Sequence, residues 1–304
     1  MPQRIHALHA SWLFLVSYVL SNMLSTFIFP DKQPLYANLG LFLLYVMFAQ
    51  VGLHVLPSIL FIRSKRMSWK AVFKFRHVSL STMLLSLLIY GISQVPMLFI
   101  HQVTELISNV LGRSYQMSYY PLAADFTSLL MLIMAIGVFP PICEELLFRG
   151  VLLSGYEEKG KWFAAAMSAL LFALFHDNPY RLLELFFSAW VSAIIVLHAR
   201  SIWPGIVIHL ATNTTYVIGS YLKGGDLVMG VTSTEASPNY WIIGGWGALS
   251  VPAVYIGYML LRIIAKKEQS KESHNSTSQM DRRKGYSWLI PIFLSLLIFV
   301  LQVM

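Results

Sequence analysis

Three clusters of ionisable and amide side chains interrupt an otherwise apolar part of this sequence. The first is Glu144-Glu145-Leu146-Leu147-Phe148-Arg149-Gly150. Glu145 and Arg149 are four residues apart, so on a helix they share a face and can pair. Glu144 is turned about 100° away by the 3.6-residue period and has no partner on its own helix. A juxtamembrane salt-bridge cluster would explain Glu145 with Arg149. It would not explain a second acid directly after an apolar run and a proline pair. The second cluster is Phe172-x-x-x-His176, and the third is His209-x-x-x-Asn213, whose two polar side chains lie on one helical face. Taken singly, His176 reads as an interfacial residue and His209 with Asn213 as a helix–helix clamp. Taken together, an unpaired carboxylate, two imidazoles and an amide could activate water, bind zinc or relay protons.

The elements that hold these residues are membrane helices. The chain has 304 residues, is 57% hydrophobic with mean hydropathy +0.63, and is only 12% charged. A globular chain carries about a quarter charged residues, so water is not the main solvent here. The net charge is +8. Its basic residues lie between apolar runs and form no continuous stripe, which excludes a nucleic-acid partner. One cysteine, Cys143, excludes an internal disulfide framework. The first apolar run is followed by no small-residue cleavage site and reads as a retained anchor.

A bilayer core about 30 Å thick needs roughly 20 apolar residues in a helix. Nine hydrophobic segments fit that scale, at about 8–29, 35–62, 80–107, 126–139 with its continuation, 162–176, 182–198, 203–222, 241–265 and 286–303. The expected fold is an all-α, polytopic helical bundle of about eight spans. Segment 162–176 is short, and Pro140-Pro141 should kink the fourth segment. Residues 1–125 form N-terminal helices, 126–222 a core that carries the three clusters, and 223–304 C-terminal helices. Residues 63–76 read as a basic interfacial segment on an anionic leaflet, and 266–284 as a flexible polar linker. With the N-terminus in the cytoplasm, 17 Lys and Arg fall inside. Lys32, Arg113, Arg181 and Lys223 fall outside, and Arg149 lies within the membrane. The positive-inside rule therefore favours a cytoplasmic N-terminus.

Geometry links the first two clusters. Glu144 and His176 each lie sixteen residues from Gly160, at a charged turn, so an antiparallel hairpin would set them level. His209 is only about 9 Å along its helix from Trp203. To reach Glu144, that helix must tilt or start inside the protein. Arg181 with Glu184 reads as an interfacial pair, and His101 and His198 as residues facing headgroups.

In order and spacing, Glu144-Glu145-x-x-x-Arg149, Phe172-x-x-x-His176 and His209-x-x-x-Asn213 resemble the CAAX-protease and bacteriocin-processing (Abi) family of intramembrane endopeptidases. The resemblance covers about residues 126–216. It implies a helical core with a catalytic cavity open to the cytoplasmic side. In that scheme Glu144 activates water, His176 holds it, and His209 and Asn213 stabilise the oxyanion. Glu145, Arg149 and Phe172 support the site. The expected partners are a peptide or protein substrate and the lipid bilayer of a bacterial cell membrane, with no cofactor required. Prenylated proteins, leader peptides, pheromone precursors and bacteriocins all fit as substrates.

Other readings make distinguishable demands. A zinc peptidase would use His176, His209 and a glutamate, without a His-Glu-x-x-His motif. A cysteine peptidase would need Cys143 activated in an apolar setting. A transporter predicts paired sites in two repeated halves, and no repeat is visible. A non-catalytic immunity or scaffold protein needs no base beside oxyanion donors.

Overall fold

The computed structural model describes residues 5–28, 37–112, 121–222, 239–270 and 285–303, and among them there is no β-strand. Among the described residues nine helices of 14 residues or more follow one another: α1 (Ala7–Phe27), α2 (Leu39–Ser64), α3 (Leu80–Val110), α4 (Phe126–Lys159), α5 (Lys161–Leu174), α6 (Leu182–Ala199), α7 (Trp203–Leu222), α8 (Tyr240–Ser270) and α9 (Leu289–Val303). Side chains start several of them. Asn38 caps α2, Ser79 caps α3, and Asp125 with Ser128 forms a reciprocal capping box on α4. Hydrogen bonds from the backbone and hydroxyl of Ser128 hold the exposed Asp125 carboxyl below its ordinary range.

The helical bundle is as the sequence implied, but the span count is not. Six helices are long and apolar enough to cross a membrane among the described residues, where about eight were expected. Helices α5 and α9 are apolar but have 14 and 15 residues. At 1.5 Å per residue they reach only about 21 and 23 Å, short of the bilayer core. Helix α7 has 20 residues, but His209, Thr212, Asn213, Thr214 and Thr215 make its middle too polar to qualify.

The helices pack closely where side chains are small. A Cβ on Gly137 would stand 2.7 Å from Thr214 Oγ1, which measures how tightly α4 meets α7. Gly150 faces the Phe73 ring and Gly155 faces Ala10, each within 2.5 Å of a hypothetical Cβ, so α4 is clasped by the segment 63–76 and by α1. That segment is half inserted. Met67, Val72 and Phe73 are buried, while Arg63, Arg66, Trp69 and Lys70 are exposed.

The bundle has two distinct ends. At one, His6 meets Glu158 at 2.8 Å, Lys74 meets Glu157 at 2.8 Å, Arg76 meets Glu268 at 3.7 Å, and Ser201 donates to the Arg76 carbonyl. This basic end gathers the groups that the charge distribution assigns to one membrane side. Lys266–Ser270, the start of the expected linker, continue α8, and Glu268 is fully buried. The rest of that linker, and Arg4, Lys32, Arg113 and Lys223, lie outside the described residues. At the other end, Asp177–Arg181 join α5 to α6, and Arg181 lies 3.9 Å from Glu184. His101 lies within α3, nine residues before its end, and reaches Glu184 at 2.8 Å. His198 turns its Nδ1 back to the Ile194 carbonyl.

Candidate active site

Helix α4 brings the first cluster inward without breaking at its prolines. Pro140 and Pro141 sit in the first turn of the regular stretch Phe139–Glu145, where absent N–H groups cost least. Wider, π-type turns at Ile133–Val138 and Leu146–Leu152 flank that stretch. Such wider turns recur at functional sites.

The two acids share His209 but differ in their other neighbours. Glu145 is fully buried and Arg149 nearly so. Arg149 Nε stands 3.3 Å from Glu145 Oε2, close enough for an ion pair but not aligned as a hydrogen bond. The guanidinium also lies 4.8 Å over the Phe172 ring, and its Nη2 reaches the Ala189 carbonyl at 3.4 Å. On the other side of Glu145, Oε1 is 3.2 Å from His209 Nδ1. Gly205 makes room for this carboxylate, since a Cβ there would be 2.6 Å from Glu145 Oε2.

Glu144 faces away from that pair. Its Oε1 accepts a hydrogen bond from Gln50 Nε2 at 3.0 Å, and its Oε2 lies 3.8 Å from His209 Nε2. His176 follows the last turn of α5 and fixes its Nδ1 on the Phe172 carbonyl at 2.8 Å, which leaves Nε2 as the nitrogen for other partners. The loop after it is tied down by the buried Tyr18, whose hydroxyl donates to Asp177. Asn213 Nδ2 donates to the Ile136 carbonyl at 3.1 Å, across the close contact of α4 with α7.

The seven residues of the three clusters line one cavity of about 510 Å³: Glu144, Glu145, Arg149, Phe172, His176, His209 and Asn213. The hairpin around Gly160, with φ of 112°, sets Glu144 and His176 on the same cavity. Helix α7 starts at the exposed Trp203, directly after two buried residues. Ser201 and Ile202 are fully buried, and the Ile202 N–H donates to the Lys74 carbonyl. Among the described residues, no group of three His, Cys, Asp or Glu is placed to hold a metal ion. Cys143 is buried and is not among the cavity residues.

Several cavity residues escaped the sequence reading, two of them polar groups close to the clusters. Gln50 and His54, on α2, both line the site. His54 is 2% exposed, and neither ring nitrogen makes an aligned hydrogen bond among the described residues. The signal was present as Gln50, His54 and Ser58, a polar row at four-residue spacing in an apolar helix.

Residues 126–215 match the family model for type II CAAX prenyl endopeptidases, Rce1-like. The matched stretch contains every site residue named in sequence and excludes Gln50 and His54. Over 89 residues the chain is 29% identical to the Bacillus subtilis (strain 168) protein named "Putative membrane peptidase YdiL". That similarity takes in 29% of this chain and 36% of the relative, so it spans just over a third of the relative's length. No solved structure matches the chain. The Rce1-like stretch and the apolar helices indicate a multi-pass membrane protein.

Proposed function

We propose that the chain is an intramembrane endopeptidase that uses Glu144 as its general base. The observation that carries this reading is the placement of Glu144. One oxygen is held by Gln50, and the other faces His209 across 3.8 Å inside a cavity shared with His176 and Asn213. The cavity that these groups share has room for the attacking water. Glu144 takes a proton from the water, whose oxygen attacks the scissile carbonyl carbon. The C–N bond then breaks as Glu144 returns the proton to the leaving amine. His176 orients the water through its free nitrogen. His209 and Asn213 offer N–H groups to the developing oxyanion, where preorganised donors act most strongly. Since Nδ1 of His209 faces Glu145, its Nε2 donates when the ring is charged. The Rce1-like match supports hydrolysis of a peptide or protein substrate.

Glu144→Gln tests the reading. The amide keeps size and polarity but cannot accept the proton, so cleavage should fall by at least about 10²-fold with the protein still folded. Cleavage at the wild-type rate would end the proposal.

A further inference from the structure

One side chain from outside the Rce1-like stretch holds both chain neighbours of His176. Tyr18, on α1, is fully buried. Its ring lies 5.9 Å from the Phe175 ring, and its hydroxyl donates to Asp177 Oδ1. The hydroxyl is also 3.1 Å from Gln302 Oε1 on α9. Its single proton serves one acceptor at a time, and the carboxylate makes the stronger bond. Phe175 is gripped further by the rings of Phe14 at 6.1 Å, His54 at 4.8 Å and Phe148 at 5.9 Å.

The turn that Tyr18 holds is strained. Asp177 has φ of 48°, in the left-handed region where a helix exit commonly carries glycine. Aspartate tolerates that region better than most side chains, but still at a cost. Among the described residues four non-glycines have positive φ, and of these only Asp177 adjoins a residue of the three clusters. A strained backbone persists where its surroundings over-determine it, and such positions gather at active sites. The His176 ring is already set by Nδ1 on the Phe172 carbonyl. What remains to be fixed is the backbone that carries the ring. We propose that Tyr18 is a positioning residue, which holds Phe175 and Asp177 and thereby fixes the backbone of His176 and the place of its Nε2. That His176 takes part in hydrolysis rests on the peptidase reading, whereas the hold of Tyr18 on the turn does not.

Tyr18→Phe in the full chain removes the hydroxyl and keeps the ring contacts. In detergent-solubilised protein, hydrogen–deuterium exchange should quicken across residues 174–182 and stay unchanged at the capped start of α4. Exchange of the turn at the wild-type rate would overturn the proposal. Kinetics use the quenched-fluorescent peptide that the wild type cleaves fastest in a randomised library. Here kcat per folded molecule should fall about 10-fold with KM little changed, as for a displaced reacting group. Asp177→Gly accepts the left-handed backbone but loses the bond, and should lose a similar factor. Tyr18→Phe added to Asp177→Gly should then cost nothing more, because both remove one interaction. Asp177→Asn keeps an acceptor and tolerates the same φ, so it should keep most of the rate. Losses that add in the double variant, or Asp177→Asn as damaging as Asp177→Gly, would overturn the proposal. So would a lower yield of folded Tyr18→Phe with unchanged kcat, which makes Tyr18 a packing anchor. If the wild type cleaves nothing, the peptidase reading fails, and the exchange rates still decide whether Tyr18 sets the turn.

Discussion

Gln50 donates a hydrogen bond to Glu144 across 3.0 Å, from a helix that the Rce1-like match does not include. The bond distinguishes the two carboxylate oxygens. Oε1 is fixed, and Oε2 is left toward His209 and the cavity. Exposed apolar residues such as Leu44, Phe48 and Leu60 cover the other face of α2, so its polar row turns inward.

Gln50→Met should therefore act on the reaction and not on binding. The thioether keeps the length of the side chain but cannot donate to Glu144. We expect kcat per folded molecule to fall roughly 10- to 10²-fold, as for a misplaced reacting group, with KM little changed. Steady-state kinetics on purified protein would check this. Unchanged kcat with reduced protein level would show that Gln50 is only a packing contact.

The Glu145–Arg149 pair predicts a stability effect. Arg149→Ala takes from the fully buried Glu145 its permanently charged partner and leaves the His209 ring beside it. Removing one partner of a buried pair costs roughly 3–5 kcal/mol. Glu145→Gln combined with Arg149→Ala removes the orphaned charge and should accumulate better than Arg149→Ala alone. Thermal unfolding in detergent compares the three, and equal stability of the double and single variants would contradict the pairing.

Much of this site was legible because helical periodicity is strict. The four-residue spacing gave the Glu145–Arg149 pair, and equal distances from Gly160 set Glu144 level with His176. The shallow position of His209 called for α7 to tilt or to start inside the protein, and the two residues that precede the exposed Trp203 are buried. Gln50 and His54 were not legible as site residues, because which helix lies beside α4 is a tertiary fact. The span count failed for a related reason. Apolar runs such as α5 and α9 look alike in sequence whether they cross a bilayer or end short of it inside a bundle.

Gly205 offers a steric test of the same contact. A Cβ there would stand 2.6 Å from Glu145 Oε2 and 2.8 Å from Val196 Cγ2, both in the buried interior. Gly205→Ala must push α7 from α4 or displace the carboxylate from His209 and Arg149. Overpacking of this kind costs about 1–3 kcal/mol. The variant should thus lose stability and also activity per folded molecule, whereas Gly219→Ala, with open space around it, should change neither. Melting and cleavage assays on the two glycine variants would check the contrast.

Asn213 separates three readings at one position. Its Nδ2 is 3.1 Å from the Ile136 carbonyl, so one N–H ties α7 to α4 and the other is available to the cavity. If that N–H meets the oxyanion, it acts on the transition state more than on the bound substrate. Asn213→Ala should then lower kcat by about 10²–10³ with KM little changed, the range for losing one such donor. Asn213→Asp should be at least as damaging, because it sets a negative charge against another. A helix clamp alone predicts less protein with normal activity per folded molecule. A zinc enzyme predicts the reverse for aspartate, a better metal ligand than asparagine, which would retain or gain metal-dependent activity. Kinetics normalised to folded protein, with and without added zinc, distinguish the three. An Asn213→Asp variant active only with zinc would overturn the glutamate mechanism.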